Sequence, residues 1–290
     1  METLEVLGRK IKTSQDLLSV VKTMKSLAAV NIRQYEAAAE AMDEYKDIVD
    51  TAWQALFKNR PQLPKKRLSN QAVLLILGSD QGMCGQFNEN IIQYALQKAQ
   101  SFKDEGLEII FWTAGERIRA GIEETEKVEE HFYLPASPTA IGDLMSEIVT
   151  HFAECHENKK IETFIINYNR LERGGVYTPI SHQILPIEPH YDENKRLKTW
   201  PTNCLPLIRM DTGVFFEHLF QQHIFGAIYK AFSQSLASEN AARLAAMQAA
   251  EKNIVEMEET LQGKFRETRQ NAITAELLDI ISGFEALAPV

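Results

Sequence analysis

LEVLGRKIKTSQDLLSVVKTMKSLAAVNIRQYEAAAEAMDEYKDIVDTAWQAL, residues 4–56, holds one glycine near its start and no proline. Stepping alternately three and four residues from Leu4 meets Leu7, Ile11, Ser14, Leu18, Val21, Lys25, Ala28, Ile32, Tyr35, Ala39, Met42, Lys46, Val49, Trp53 and Leu56. Thirteen of these sixteen positions are apolar over about eight heptads, which predicts one long helix with a coiled-coil seam. At about 1.5 Å rise per residue it runs on the order of 75–80 Å. A small domain cannot cover such a stripe, so the pattern calls for a partner helix.

The other end of the chain supplies a candidate. After Pro206 no proline occurs until Pro289. Phe225, Ile228, Phe232 and Leu236 make one apolar stripe, and Met247, Ala250, Ile254, Met257 and Leu261 continue it at three-four spacing. Past Leu261 the register lands on Lys264, Thr268 and Asn271, so the seam weakens there. The alanine-rich stretch 241–250 favours helix and admits close approach by a neighbour. A helix over 211–288 is expected, on the order of 115 Å long.

Between the two, glycine and proline punctuate alternating strand and helix signals. Strands are predicted at 72–77 (AVLLIL), 107–113 (LEIIFWT), 128–134 and 162–169 (ETFIINYN), with weaker strand character at 176–187 and 205–210. Helices are predicted at 91–102, just after Gly115, and at 140–157. This alternation suggests βαβ units and a largely parallel sheet, with a hairpin as the alternative for the strands flanking Arg170–Gly175. The expected fold is α/β: an α/β domain over 70–207, inserted between terminal helices 1–60 and 208–290 that pair as an antiparallel coiled coil.

Composition narrows the function classes. The 290 residues are 44% hydrophobic and 24% charged with a net charge of −9, the profile of a folded globular protein rather than a disordered or disulfide-built one. The acidic balance excludes a whole-chain basic footprint for nucleic acid. No apolar run approaches the roughly 18 residues of a membrane span. METLEVLGRKIKTSQ has the features of neither a signal nor a transit peptide, and Cys84, Cys155 and Cys204 show no framework spacing, so reduced thiols in the cytosol are expected.

Chemical motifs are sparse. Gly78-Ser79-Asp80-Gln81-Gly82-Met83-Cys84-Gly85 follows a strand and precedes a helix, where phosphate would meet backbone N–H groups. It matches neither the dinucleotide fingerprint nor the P-loop, and Asp80 stands where an α/β hydrolase has its serine. A nucleotide-binding α/β enzyme built on this loop stands as one alternative, and an unrelated coiled-coil scaffold as another. His151 and Cys155 share a helix face next to His156, without a third ligand at metal spacing. Ser235, Ser238, Glu239, Asn240 and Arg243, then Arg266, Arg269, Gln270, Asn271 and Thr274, place polar groups where the last seam thins. Charge pattern alone makes these a solvated face; the alternative is hydrogen bonding to another protein.

SLASENAARLAAMQAAEKN (235–253), followed by Arg269-Gln270-x-x-Ile273-Thr274-x-Glu276, resembles the C-terminal signature of the γ subunits of F-type ATP synthases. Ser79-Asp80-x-Gly82-x-Cys84-Gly85-x-x-Asn88 resembles that family's second signature, and Met24-Lys25-x-x-Ala28-Ala29 its third. The resemblance implies a Rossmann-like domain carried on a coiled coil, acting as a non-catalytic rotor with no cofactor or metal. Its implied partners are the α and β subunits of the α3β3 ring, the ε subunit and the c-ring, on the cytoplasmic side of a bacterial inner membrane. Arg269, Gln270 and Thr274 would meet the catalytic ring, as would Met24 and Lys25. Ser79, Asp80 and Cys84 would form a structural or interaction loop. The family usually has a basic residue at Gln81, glycine-leucine at Gln86-Phe87, asparagine at Arg266 and Ser-Lys at Val30-Asn31. These departures point to a divergent bacterial branch, such as the alternative or sodium-type enzymes.

Overall fold

The computed structural model describes residues 3–59, 70–135, 137–159, 161, 163–172, 175–186, 204 and 207–287. In chain order the elements are α1 (Leu4–Asn59), β1 (Gln71–Leu77), α2 (Phe87–Asp104), β2 (Glu108–Ala114), α3 (Glu116–Ile122) and β3 (Val128–Phe132), then a 3-10 turn (Pro138–Ala140), α4 (Ile141–Lys159), β4 (Thr163–Leu171), β5 (Tyr177–Leu185) and α5 (Thr212–Leu287). The chain forms two compact units, Met1–Ala28 with Leu244–Val290, and Ala29–Arg243. Among the expected positions, Glu162, Ile187, Leu205, Pro206 and Ala288 lie outside the described residues.

The larger unit is built on a five-stranded sheet of order β3-β2-β1-β4-β5. Its first four strands are parallel, and β5 returns antiparallel to β4, which resolves the open choice at Arg170–Gly175 in favour of the returning strand. The near-continuous apolar runs of β1 and β4 follow from cover on both faces, as parallel sheets require. On one face Ala72, Leu74, Ile76, Ile109 and Ile165 pack with Ile91 and Ala95 of α2 and Ile118 of α3. On the other, Val73, Leu75, Trp112 and Phe164 pack with Ile148 and Phe152 of α4 and with Ile228, Phe232 and Leu236 of α5. The stripe Phe225–Leu236 is thus a sheet-covering face from Ile228 onward. Phe225 meets α1 instead, with Tyr45 edge-on to its ring.

Residues of α1 and α5 meet in opposite order along the chain. In the larger unit Asn31 bonds Asn240, Asp43 bonds Lys230 and Tyr45 bonds Gln222, while Val49, Trp53 and Leu56 cluster with Leu219. In the smaller unit Gln15 bonds Glu258 and Lys25 bonds Glu251. Every position of the three-four series in α1 except Lys46 is buried or half-buried. The α5 series departs from expectation: Met257 is exposed while Glu251 and Glu258 take inward places.

Three boundaries also differ. α2 begins a turn before Ile91, because Phe87 is buried at its head. β3 stops at Phe132, and the N–H of Leu134 turns to the Asp80 carboxylate instead of a ladder. Residues 207–210 form no strand: Leu207 is 78% exposed and Met210 50%, so no sheet neighbour buries alternate side chains. Asp211 instead caps α5, its carboxylate accepting the N–H groups of Gly213 and Val214.

Phe232 is fully buried between α5 and the sheet. Phe232→Ala should cost about 3–5 kcal/mol, seen as a lower urea midpoint by circular dichroism. Val176→Ala, at an exposed position, should shift stability by less than about 0.5 kcal/mol.

Candidate functional site

The residue types that singled out the loop after β1 are turned inward. Gly78 sits where an added Cβ would lie 1.8 Å from Cγ1 of Ile118 and 2.9 Å from Oδ1 of Asn88, so only glycine lets the chain pass. The N–H of Gly78 still donates to the carbonyl of Ala114 on β2. Next, the backbone N–H of Ser79 donates to Asn88 Oδ1 at 3.1 Å, and Asn88 Nδ2 donates back to Ser79 Oγ at 2.8 Å. The Ser79 hydroxyl donates to the carbonyl of Gln81 at 2.8 Å. Asn88 Nδ2 also reaches the sulfur of Cys84 at 3.4 Å. This amide locks the start of the loop to its end.

Asp80 acts outward from the same turn. Its two carboxylate oxygens accept the N–H of Glu116 at 3.0 Å and that of Leu134 at 3.2 Å. It thereby joins the loop to the start of α3 and to the segment after β3, and the Arg117 N–H donates to the Ser79 carbonyl at 3.0 Å. Gly115 adopts a φ of +107°, and a Cβ there would meet the Ser79 backbone at 2.9 Å. The left-handed tip, Met83 at φ +63° and Gly85 at +59°, turns Cys84 inward and leaves the Met83 side chain exposed. Burial pushes the Cys84 thiol up, against its interaction with the Ser79 hydroxyl, which lowers it. Cys84 is therefore an inert packing residue at neutral pH.

The loop is seated on α5. Cys84 and Phe87 cluster with Ala242 and Tyr177, and Phe87 meets the Tyr177 ring edge-on at 5.5 Å. Asn169 Nδ2 donates to the Phe87 carbonyl at 3.1 Å, and the Ser238 hydroxyl donates to the Asn169 carbonyl at 2.9 Å. Ser235, Ser238, Glu239 and Asn240 are all buried, and Arg243 forms an ion pair with Glu239 at 2.6 Å. This corrects both expectations for residues 235–243: they are neither a solvated face nor free for another protein. Charge pattern reports polarity, not the neighbour that satisfies it. Asn88, Asn169 and Tyr177 were missed as site residues, although Asn88 lay inside the quoted motif.

The remaining expected residues fall elsewhere. Arg269, Gln270 and Thr274 are exposed on α5, with the Thr274 hydroxyl bonded to the Gln270 carbonyl at 2.9 Å. Met24 and Lys25 are half-buried on α1. The Lys25 ammonium, bonded to Glu251, holds that carboxyl below its usual range. Of the departures, Phe87 is core, Gln81, Gln86, Val30 and Arg266 are exposed, and Asn31 hydrogen-bonds Asn240 at 3.4 Å. His156 Nδ1 lies 2.8 Å from the carbonyl of Ile161 and His151 lies 3.8 Å from Glu130.

A loop whose donors close on its own chain, on a parallel sheet covered on both faces, defines an α/β domain in which the β1–α2 turn has a structural task. A family model described as ATP synthase matches residues 3–287, and the chain belongs to that family. Its full-length relatives specify the subunit. The ATP synthase gamma chain of Geobacter metallireducens is 28% identical over 297 residues, covering 99% of each chain. That of Pelagibacter ubique is 29% identical over 298 residues, covering 99% of this chain and all of its own. Among solved structures, the rotor of the Euglena gracilis mitochondrial ATP synthase covers 93% of this chain and 98% of its own, with a TM-score of 0.65 at 15% identity. That last likeness is one of fold. Within that family the chain is of the gamma type, like the relatives it matches end to end. No helix among the described residues is long and apolar enough to cross a membrane.

Asn88→Ala leaves the Ser79 N–H unpaired in the interior and should cost about 1–3 kcal/mol. With Cys155 and Cys204 replaced by serine, a thiol reagent should then label Cys84 at least about fivefold faster than in the parent, one decade for each 1.4 kcal/mol. Labelling as slow as the parent's would show that the amide does not hold the loop.

Proposed function

We propose that the chain is the rotor that couples proton or sodium flow through a c-ring to ATP synthesis or hydrolysis in an α3β3 ring. The observation that carries this is the inward closure of the Gly78–Gly85 loop onto a buried stretch of α5. That arrangement gives the β1–α2 turn a packing task and disfavours the nucleotide-enzyme alternative. We read the three segments 1–60, 70–207 and 208–290 as terminal helix, Rossmann-like domain and terminal helix. The strand order 3-2-1-4 with parallel pairing supports the middle assignment, and the opposed order of α1–α5 contacts supports an antiparallel coiled coil.

In this reading the asymmetric pair of helices presents different side chains to three catalytic sites in turn. Each site is biased only as far as its open and closed states interact differently with the rotor. Arg269, Gln270 and Thr274, exposed on α5, are the side chains we assign to the catalytic ring, with Met24 and Lys25 on α1. Since Lys25 already bonds Glu251, its contribution is the placement of a neutralised pair rather than a free charge. The α/β domain would meet the ε subunit and the c-ring, as the resemblance implies. The complex would sit on the cytoplasmic side of a bacterial inner membrane, with this chain attached through its partners and never inside the bilayer.

Two measurements test the assignment. The isolated chain should show no saturable ATP hydrolysis; substantial turnover would sink the rotor reading. In the assembled complex, Arg269→Ala combined with Gln270→Ala should lower coupled turnover by on the order of tenfold, the effect of losing about 1.4 kcal/mol of contact energy. Full retention would refute the roles given to these two side chains while leaving the subunit assignment intact.

A further inference from the structure

Glu239 is 5% exposed, and its i+3 neighbour Ala242 packs directly on Cys84 and Phe87. The loop therefore lies over the helix face that carries this carboxyl. Its charged and titratable surroundings come from three elements. On α5 it meets Arg243, whose Nη2 donates to Oε1 at 2.6 Å. From the loop Asp80 acts on it repulsively and Cys84 faces the pair. From α1 the buried Tyr35 phenol feels its charge, which helps to push that phenol up. One cation thus faces one certain and one repelling carboxylate in an interior from which water is largely excluded. Arg243 spends only part of its donor fork on the pair, and its Nε has no hydrogen-bond partner.

We propose that Glu239 is a proton-linked latch: protonation of its carboxyl tightens the seat of the Ser79–Asn88 loop on α5, and ionisation loosens it. Closing the loop desolvates the carboxylate, and the single bond from Arg243 restores only part of what water supplied. Burial is accordingly the largest influence on this acid, pushing it up from 4.5 to about 7 against the opposing effect of Arg243. With the loop open, Glu239 meets water and titrates near its free value. Between those two pH values the closed state holds a proton that the open state lacks. Closing is therefore favoured below about 4.5, and that advantage is progressively lost as pH rises to about 7.

The device differs from a surface ion pair in sign. A carboxylate held by an exposed cation has its value lowered and loses its contribution on acidification. This buried one gains on acidification, because the neutral acid no longer pays for lost water. The Cys84 thiol does not mimic the effect, because burial pushes it further above the neutral range.

Amide hydrogen exchange over residues 79–88 of the full chain, corrected for the intrinsic rate at each pH, reads the opening equilibrium. Between pH 6 and pH 8 the corrected opening constant should rise by on the order of tenfold in the parent, from the two titration values. In Glu239→Gln, which keeps the shape and has no proton to release, the same interval should be flat. A flat parent profile overturns the proposal, and so does an equal slope in the variant, which would assign the proton to another group. Should the variant not fold, carbon-13 labelling of the glutamate carboxyls in the parent decides the matter. A carboxyl titrating near 7, with the amide shifts of 79–88 following the same midpoint, supports the latch. No glutamate titrating above pH 6 rejects it.

Discussion

The hydrogen bonding between Ser79 and Asn88 sets a constraint on which much of the larger unit depends. A parallel sheet places its β1–α2 turn against the start of a helix, and this turn must also lie against α5 without leaving backbone groups unpaired. One asparagine amide meets the demand by accepting from the Ser79 N–H and donating to its hydroxyl. Asp80 then extends the fixed turn to α3 and to the end of β3. The position of three loops at the C-terminal ends of β1, β2 and β3 follows from the Asn88 and Asp80 side chains and the absence of a Cβ at Gly78 and Gly115.

The middle of α5 is the complementary half of the same constraint. Residues 231–242 are buried on nearly every side, a condition that usually demands an apolar helix. Here the sequence is small and polar instead: Ala231, Ser233, Ser235, Ala237, Ser238, Ala241 and Ala242 keep the helix thin enough for the sheet, α1 and the loop to approach together. The Ser238 hydroxyl lies between the carbonyls of Gln234 four residues back and of Asn169 on β4, while Asn240 donates to the carbonyl of Leu236 and accepts from Asn31, so these polar atoms are met by the helix itself and by its neighbours together. Glu239 cannot be satisfied in that way, which is why it keeps Arg243 beside it.

This explains what sequence reasoning reached and what it did not. The α1 periodicity was legible because a seam is a repeated one-dimensional pattern, and its inward positions follow the count from Leu4 to Leu56 with Lys46 excepted. The alternation of β1, β2 and β4 with helices was legible because sheets covered on both faces leave continuous apolar runs. The polar middle of α5 was not, since serine and glutamate look alike in sequence whether they face water or a neighbouring loop. The seam past Met247 failed for a related reason: Glu251 and Glu258 occupy inward places because Lys25 and Gln15 meet them there, and such cross-helix pairs are invisible until two segments are aligned. Residues 207–210 misled because local apolar content promises a strand only where a sheet edge is available.

The bonding of the motif residues also separates two kinds of work within one signature. Ser79, Asp80, Cys84, Ser238, Glu239 and Arg243 have their polar atoms or packing engaged inside the chain, so replacing any of them disturbs the subunit before it disturbs a partner. Arg269 and Gln270 are exposed, and Thr274 bonds only its own helix, so the fold asks nothing of their side chains. Exposed polar groups without an internal task are the ones through which a partner can be met at little cost to stability. Lys25 stands between the two classes, half-buried and neutralised by Glu251, and a partner approaching it meets a fixed pair whose geometry the two helices set. Resemblance alone grouped Lys25 with Arg269; their different bonding means that substitution at Lys25 disturbs helix pairing, whereas substitution at Arg269 leaves the internal bonding intact and so would isolate the partner contact proposed for it.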